Sequence, residues 1–424
     1  MAKASATTPT AGHVSTVNVG IDDAEVPDVT LYMKDAAKVA ISTPLGNPHD
    51  PKCIWGAPVC FWGLPAVAKS DKIKQAAAEC NLAAGVIMPG QRQPEDFAGV
   101  LIPDPKSESG VRSECLIRAI SYLNYYKKGV LFIDEVSTAT PATQGSMLGM
   151  VNDRQVGDVA MEPGIRILLA ANPPKYSAGG WKLEPPMANR MCHVQVKCPP
   201  VDEWIQWLTS EGTTQRVDVS ITEALVQERW ASSYSKAVGL LVGFMHGNRT
   251  MLHMEPLPET EQSSYCWASP RTWWLAGRVR ATAELLGVQD KVRDLLVEGC
   301  IGKGAYELWM AWERQNNLPT PEEALAGAWT PDTRRPDVSV AVLTSTTQFV
   351  INTKDRREAV DRATQAWTLF NKFLRANMGD LVITAAKTLV NKNLSRSDDP
   401  KIKPAAEPVI QWMIDKKVIQ YAAV

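Results

Sequence analysis

The sequence predicts an α/β fold: a parallel five-stranded sheet with helices on both faces, followed by a helical domain and a C-terminal helical module. Short apolar runs alternate with helical patterns from about residue 30 to residue 200, which is typical of a parallel sheet covered by helices. Strand-like runs then stop, and apolar residues recur at helical spacing. The 424-residue chain, 45% of it hydrophobic, is long enough for two or three domains.

Five apolar runs qualify as strands because they are short, rich in large apolar residues and bounded by turn-forming residues. They are PVCFWG (58–63), AAGVIM (83–88), GVLFIDE (129–135), IRILLAAN (165–172) and CHVQVKC (192–198). In the last run, Cys192 and Cys198 share one face of the strand while His193 points to the other. The sequence therefore does not favour a zinc site there.

These patterns divide the chain into five parts. Residues 1–27, rich in Ala, Ser and Thr, are predicted to form a flexible tail. Residues 28–200 form the α/β domain, and residues 201–315 form a helical domain. The proline-containing stretch 316–337 is predicted to be a linker. Residues 338–424 form the C-terminal helical module.

Charge and cysteine content narrow the function classes. Lys and Arg number 45 against 46 Asp and Glu, so the net charge of -1 gives no global field that would attract nucleic acid or an anionic membrane. The eight cysteines are scattered without a C-x-x-C pair, as expected for reduced thiols. The start lacks the apolar run of a signal peptide, and no segment is apolar enough to span a membrane. We expect a cytoplasmic protein with neither a membrane nor a nucleic-acid partner.

A phosphate-binding loop is predicted between the first strand and the helical pattern that follows it. In such a loop, backbone N–H groups face the phosphates, a lysine reaches the β- and γ-oxygens, and a hydroxyl binds Mg²⁺. Lys69 and Ser70 occupy the last two positions. The candidate nucleotide-binding residues are Gly63, Leu64, Pro65, Ala66, Val67, Ala68, Lys69 and Ser70. The alternative is an ordinary strand-to-helix turn with an exposed lysine.

Two further strand ends carry polar residues that suit ATP hydrolysis. Asp134 and Glu135 follow the apolar run GVLFI, where the first carboxylate is placed to orient Mg²⁺ and the second to polarise the attacking water. Asn172 ends the fourth strand and is placed to hold a water beside the γ-phosphate. The predicted cofactors are ATP and Mg²⁺, with Ser70 and Asp134 as metal ligands. An acidic turn and a turn asparagine are the alternatives.

Taken in order, these features resemble an AAA+ ATPase, in particular the MoxR-like branch, over about residues 50 to 285. The motifs that carry the resemblance are the loop, PEDFAG (94–99), FIDEVSTATPATQGSMLGMVNDRQVGD (132–158), AANP (170–173), PMANRMCHV (186–194) and ASPRTW (268–273). The resemblance implies that VNDRQVGDVAMEPGIRIL contains a β-hairpin insert and that QRQPEDFAGV belongs to a second insert. In relatives, such inserts line or approach a central pore. Plain surface loops are the alternative.

The resemblance also assigns roles to two arginines. It implies that Arg190 is an arginine finger that reaches the ATP of a neighbouring subunit, and that Arg271 contacts the γ-phosphate of its own subunit. A guanidinium offers forked donors to phosphate oxygens and stays charged. The implied assembly is a ring of identical subunits, most often a hexamer, which acts as a chaperone-like remodeler together with a partner carrying a von Willebrand A-type domain. Without the family context, both would be surface or ion-pair arginines.

The chain departs from the family pattern at Ala66 and Ala68, where glycine is usual because the loop needs left-handed backbone angles. A non-glycine residue at such an angle costs about 1–2 kcal/mol. A methyl group against a phosphate oxygen would also displace the γ-phosphate from Glu135. The sequence therefore predicts an ATPase that the two alanines slow. The alternatives are a nucleotide-gated scaffold without turnover and a nucleic-acid motor.

Overall fold

The computed structural model describes residues 33–176, 181–197, 217–254, 256, 265–316, 318–395 and 399–419. The predicted tail at 1–27 and Cys198 lie outside these residues. The strands are β1 (Val59–Trp62), β2 (Ala84–Ile87), β3 (Val100–Pro103), β4 (Val111–Glu114), β5 (Lys128–Ile133), β6 (Gln155–Val156), β7 (Val159–Ala160), β8 (Gly164–Ala171) and β9 (Cys192–Gln195).

The helices alternate with these strands up to β9 and account for most of the described chain after it. They are α1 (Met33–Ser42), α2 (Lys69–Glu79), α3 (Pro94–Ala98), α4 (Arg118–Tyr126), α5 (Pro141–Asn152), α6 (Pro185–Ala188), α7 (Val219–Gly247), α8 (Pro270–Leu286), α9 (Asp290–Ile301), α10 (Lys303–Arg314), α11 (Pro321–Leu325), α12 (Pro336–Ile351), α13 (Arg356–Arg375), α14 (Gly379–Asn391) and α15 (Lys403–Asp415). None of the helices in the described ranges is long and apolar enough to cross a membrane.

A five-stranded sheet lies at the centre of the α/β domain, in the order β2-β5-β8-β1-β9. All of its neighbouring pairs are parallel. Each of the five strands lies within the run predicted for it, up to one residue at the start of β5 and β8. Together with the helical region that follows, this sheet confirms the predicted α/β fold class with a parallel five-stranded sheet.

Alternate residues along the strands enter two different cores, as the period of two in a strand requires. Phe61 and Phe132 pack into one core together with residues of α1, α2 and α9. Trp62 and Ile133 pack into the other together with residues of α4 and α5. Because both faces of the sheet are covered, functional side chains are presented at its edges, where the strands end.

The helical region packs closely on itself and has a further core. Helix α7, 29 residues long, contacts α8 and α12. Gly239 allows the approach of α12, because a Cβ at this position would lie 2.6 Å from the Ser345 side chain. Helices α13 to α15 share a core around Trp367 and Phe370.

The stretch predicted to be a linker, 316–337, is partly helical. It contains α11 and the first residues of α12. Ala324 and Leu325 of α11 are buried against the core of the C-terminal helices. This part of the stretch therefore packs as an element of the fold, since its alanines and leucine find apolar partners that the proline content alone does not reveal.

Both predicted inserts are present, and they touch. Strands β6 and β7 pair antiparallel as the predicted hairpin. The insert after β2 contains α3 and leads into a second antiparallel hairpin, β3 with β4. Gly157, between β6 and β7, donates its backbone N–H to the carbonyl of Phe97 at 3.2 Å. A Cβ at Gly157 would lie 2.2 Å from the carbonyl oxygen of Ala98, so this contact requires glycine.

Candidate functional site

The carboxyl ends of β1, β8 and β5, which are neighbours in the sheet, bring three predicted site residues together. Lys69 begins α2 after the loop that follows β1, and its Nζ donates to Oδ1 of Asn172 at 2.8 Å. The same ammonium donates to the carbonyl oxygens of Gly63 at 2.8 Å and Leu64 at 2.7 Å. Loop, lysine and the end of β8 therefore form one hydrogen-bonded group.

The predicted metal ligands are joined to each other. Ser70 donates its Oγ hydrogen to Oδ2 of Asp134 at 2.7 Å. The other carboxylate oxygen of Asp134 accepts the backbone N–H of Glu135 at 2.9 Å. Next to them, the backbone N–H of Asn172 donates to Oγ of Ser137 at 3.2 Å. Hydroxyl and carboxylate oxygens are the ligands that Mg²⁺ prefers, so Ser70 and Asp134 suit this ion.

The charges in the site compensate one another. Lys69 is only 8% exposed, and burial lowers its pKa. The nearby carboxylates of Asp134 and Glu135 oppose this shift, because a negative charge favours the ammonium form. Asp134 is buried as well, whereas Glu135 is exposed. The group therefore combines a buried cation with one buried and one accessible carboxylate.

Left-handed backbone angles occur at Ala66 and Ala68, the two loop positions where glycine is usual. The φ angles are 65° at Ala66 and 61° at Ala68, and Ala68 is the residue before α2. Glu135 also has a positive φ, 52°. The expected backbone geometry is confirmed. Non-glycine residues in this region are strained, and such strain concentrates at functional sites.

Glycine is required at the start of the loop for a different reason, which is close packing. A Cβ at Gly63 would lie 2.7 Å from the carbonyl oxygen of Val196, which follows β9. The remaining loop residues include a buried Val67 that anchors the loop in the core. Leu64, Pro65, Ala66 and Ala68 are exposed. The loop thus presents its backbone outwards at the edge of the sheet.

The two predicted arginines lie outside the hydrogen-bonded group around Lys69. Arg190 follows α6 and is half-buried, and its Nη1 donates to the carbonyl oxygen of Pro186. Arg271 lies in the first turn of α8 and is exposed. Burial lowers the pKa of Arg190, and the positive charge of Arg271 lowers it further. The negative charge of Asp153 opposes both effects.

A side chain that the sequence did not single out joins the two arginine-bearing segments. Asn189 accepts a hydrogen bond from Oγ of Ser269 at 2.8 Å and donates Nδ2 to the carbonyl oxygen of Trp267 at 3.1 Å. Ser269 caps the N-terminus of α8. Asn189 and Ser269 both lie within the quoted motifs ANRM and SPRTW. The motifs therefore contained both residues, but only the fold shows that they form a hydrogen bond across about 80 positions of the chain.

This arrangement has the parts that phosphoryl transfer requires. A cation, two oxygen ligands for Mg²⁺, an accessible carboxylate and an amide meet at one edge of a parallel sheet, beside a loop that leads into a helix N-terminus. Such a set neutralises phosphate charge and orients a water molecule. It does not by itself select a client protein.

No protein-family model matches the sequence, and no curated protein matches it. Among solved structures, the chain is similar to a candidate ATPase from Cytophaga hutchinsonii, with 13% sequence identity and a TM-score of 0.42. That match covers 68% of this chain and 90% of the other. Similarity at this distance carries no argument about the reaction.

Proposed function

We propose that this chain is an AAA+ ATPase of the MoxR-like kind that binds ATP with Mg²⁺ and hydrolyses it. The observation that carries the proposal is the hydrogen-bonded group at the carboxyl ends of β1, β5 and β8, in which Lys69 contacts Asn172 and Ser70 contacts Asp134. An edge of a parallel sheet beside a helix N-terminus is where nucleotide phosphates bind.

Each residue then has a defined task in hydrolysis. Lys69 neutralises charge on the β- and γ-phosphate oxygens, and Ser70 and Asp134 hold Mg²⁺. Glu135 orients and polarises the attacking water, and Asn172 fixes that water beside the γ-phosphate. Mg²⁺ held by Ser70 and Asp134 would supply positive charge against the charge that develops on the phosphates.

We further propose that Arg190 is an arginine finger that reaches the ATP of the next subunit in a ring of identical subunits, and that Arg271 contacts the γ-phosphate of its own subunit. A guanidinium offers forked donors to phosphate oxygens and stays charged, and the hydrogen bond between Ser269 and Asn189 joins the two segments that carry these arginines. A hexamer, and chaperone-like remodelling together with a partner that carries a von Willebrand A-type domain, remain proposals from the resemblance.

Phosphate release by the purified full chain tests the proposed reaction. Lys69→Ala and Glu135→Gln should each reduce turnover by about 100-fold or more, since each removes a group that acts on the transition state. Lys74→Ala is the matched control, because Lys74 is an exposed lysine on the same helix. Equal phosphate release from the wild type and all three variants would contradict the proposal.

A nucleotide-gated scaffold is the second candidate, favoured by the strained alanines of the loop. It predicts ATP-dependent assembly with no phosphate release above that of Lys69→Ala. Electron microscopy with and without ATP and Mg²⁺, together with the turnover assay, separates the two. Retention on nucleic acid that falls steeply with salt would instead indicate a nucleic-acid motor.

A further inference from the structure

A buried pair of hydrogen bonds connects the phosphate-loop strand to the turn that carries Arg190. Nε1 of Trp62 donates to Nδ1 of His193 at 2.8 Å, and Nε2 of His193 contacts the carbonyl oxygen of Ala188 at 2.8 Å. Trp62 is the residue before Gly63, and Ala188 lies two residues before Arg190. One imidazole therefore touches both segments.

The chemistry of the two partners fixes the tautomer of His193. An indole N–H only donates and a carbonyl oxygen only accepts. Nδ1 must therefore be unprotonated and Nε2 must carry the hydrogen that is donated to Ala188. His193 is 7% exposed, and burial lowers its pKa to about 4. The ring is thus neutral near physiological pH, which is the state that this geometry needs.

Packing around the ring limits its freedom to turn. The rings of His193 and Trp62 are stacked with their centroids 6.0 Å apart and an interplanar angle of 22°. Tyr265 packs against both, with centroid distances of 4.8 Å to Trp62 and 6.0 Å to His193. The neighbouring Asn189 holds the start of α8. The link consequently extends from the loop strand to both arginine-bearing segments.

We propose that His193 is a positioning residue that holds the turn carrying Arg190 in register with the phosphate-loop strand. The inference rests on the proposed function, because the value of a fixed Arg190 is its reach to a nucleotide. An apolar ring would fill the same space beside Trp62 and Tyr265. The two polar partners, located at the loop strand and at the arginine turn, are what specify a histidine here.

Three substitutions separate the two hydrogen bonds from simple packing. His193→Gln keeps an N–H donor near the position of Nε2, and His193→Asn keeps an acceptor near that of Nδ1. His193→Phe keeps the volume and neither bond. We expect Phe and Asn to lower kcat by about tenfold or more, since a displaced arginine acts on the transition state, while ATP affinity changes by less than about twofold. Gln should restore most of kcat. Equal kcat in all three variants would overturn the inference.

Mixed assemblies show on which nucleotide His193 acts. Subunits with His193→Phe retain an intact loop, and subunits with Lys69→Ala retain an intact arginine turn. In an equimolar mixture, about a quarter of the interfaces in a closed ring join the intact loop to the intact turn. We expect phosphate release to recover in the mixture beyond the sum of its parts. No recovery would show that His193 acts only through its own loop, which overturns the positioning of Arg190.

Hydrogen exchange gives a readout that does not require hydrolysis. If the wild type released no phosphate, the proposed function would fail, and the inference would still be decided by exchange in the peptide 186–192. His193→Phe should speed exchange there and leave the peptide 141–152 of α5 unchanged, and His193→Gln should match the wild type. Identical exchange at 186–192 in all three proteins would reject the positioning role.

Discussion

Replacing Ala68 by glycine should stabilise the α/β domain, which is the reverse of the usual effect of an Ala to Gly change. Ala68 has φ 61° and ψ 29°, so its backbone is left-handed. An L-residue with a side chain costs about 1–2 kcal/mol in this conformation, and glycine does not bear this cost. The extra freedom of glycine in the unfolded chain opposes the gain by about 0.4–1 kcal/mol. The free energy of unfolding should therefore rise by about 0.5–1 kcal/mol.

An alanine within helix α2, which Ala68 precedes, provides the matched control. Ala78 is exposed and lies inside α2, where glycine is about 1 kcal/mol less favourable than alanine. Ala68→Gly and Ala78→Gly should thus differ by about 1.5–2 kcal/mol although the chemical change is identical. Thermal and urea unfolding of the full chain measure this difference. If Ala68→Gly destabilised the protein as much as Ala78→Gly, the argument from left-handed strain would be wrong.

The same variant tests why ATP hydrolysis is expected to be slow. If the methyl group of Ala68 displaces the γ-phosphate from Glu135, Ala68→Gly should raise kcat, since a displacement of about 1 Å can cost about 100-fold in rate. Phosphate release at saturating ATP measures this effect, and Ala78→Gly should leave it unchanged. Unchanged turnover in Ala68→Gly would refute the methyl collision while leaving the stability prediction intact.

Three further changes test the packing around the site. Gly157→Ala should destabilise the contact between the two inserts by about 2 kcal/mol, because φ is 54° and a Cβ would meet a backbone oxygen. The control Gly145→Ala lies in open space on α5 and should stabilise that helix by about 1 kcal/mol. Similar melting temperatures of the two variants would contradict this prediction. Burial lowers the pKa of His193 to about 4, so the unfolded chain binds a proton at this imidazole more readily than the folded chain does. The free energy of unfolding should therefore fall by about 2 kcal/mol from about pH 7 to about pH 5. This loss should disappear in His193→Gln. Arg166 is fully buried and pairs with Glu223 on α7, so Glu223→Ala should cost about 3 kcal/mol in urea unfolding, and a cost near zero would show that its backbone contacts suffice.

The site around Lys69 could be predicted from the sequence because its signals are local. An apolar run of the right length predicts a strand, and the residue that follows it lies at the carboxyl edge of a parallel sheet. Asp134 and Asn172 were therefore expected to face the loop before any distance was known. The left-handed angles of Ala66 and Ala68 were expected for the same reason, because the turn from strand to helix dictates them.

The predicted linker and the two arginine-bearing segments show what the local sequence pattern does not predict. Prolines in 316–337 indicated a connector, yet α11 forms there because Ala324 and Leu325 meet a core built by residues further along the chain. The sequence identifies the segments of Arg190 and Arg271 separately, and only the fold shows that a hydrogen bond between Ser269 and Asn189 joins them. In both cases the deciding contacts come from segments that are far apart in the chain.

The sequence by itself determined the five strands, the loop and the polar residues at the strand ends, since each follows from side-chain periodicity and from the rule that parallel strands end at one edge. Only the tertiary structure decided that His193, 131 positions from Trp62, accepts its indole hydrogen and fixes the turn before Arg190. The physical reason is that a buried neutral imidazole needs hydrogen-bond partners, and these partners reach His193 only through the packing of β1, β9 and α6.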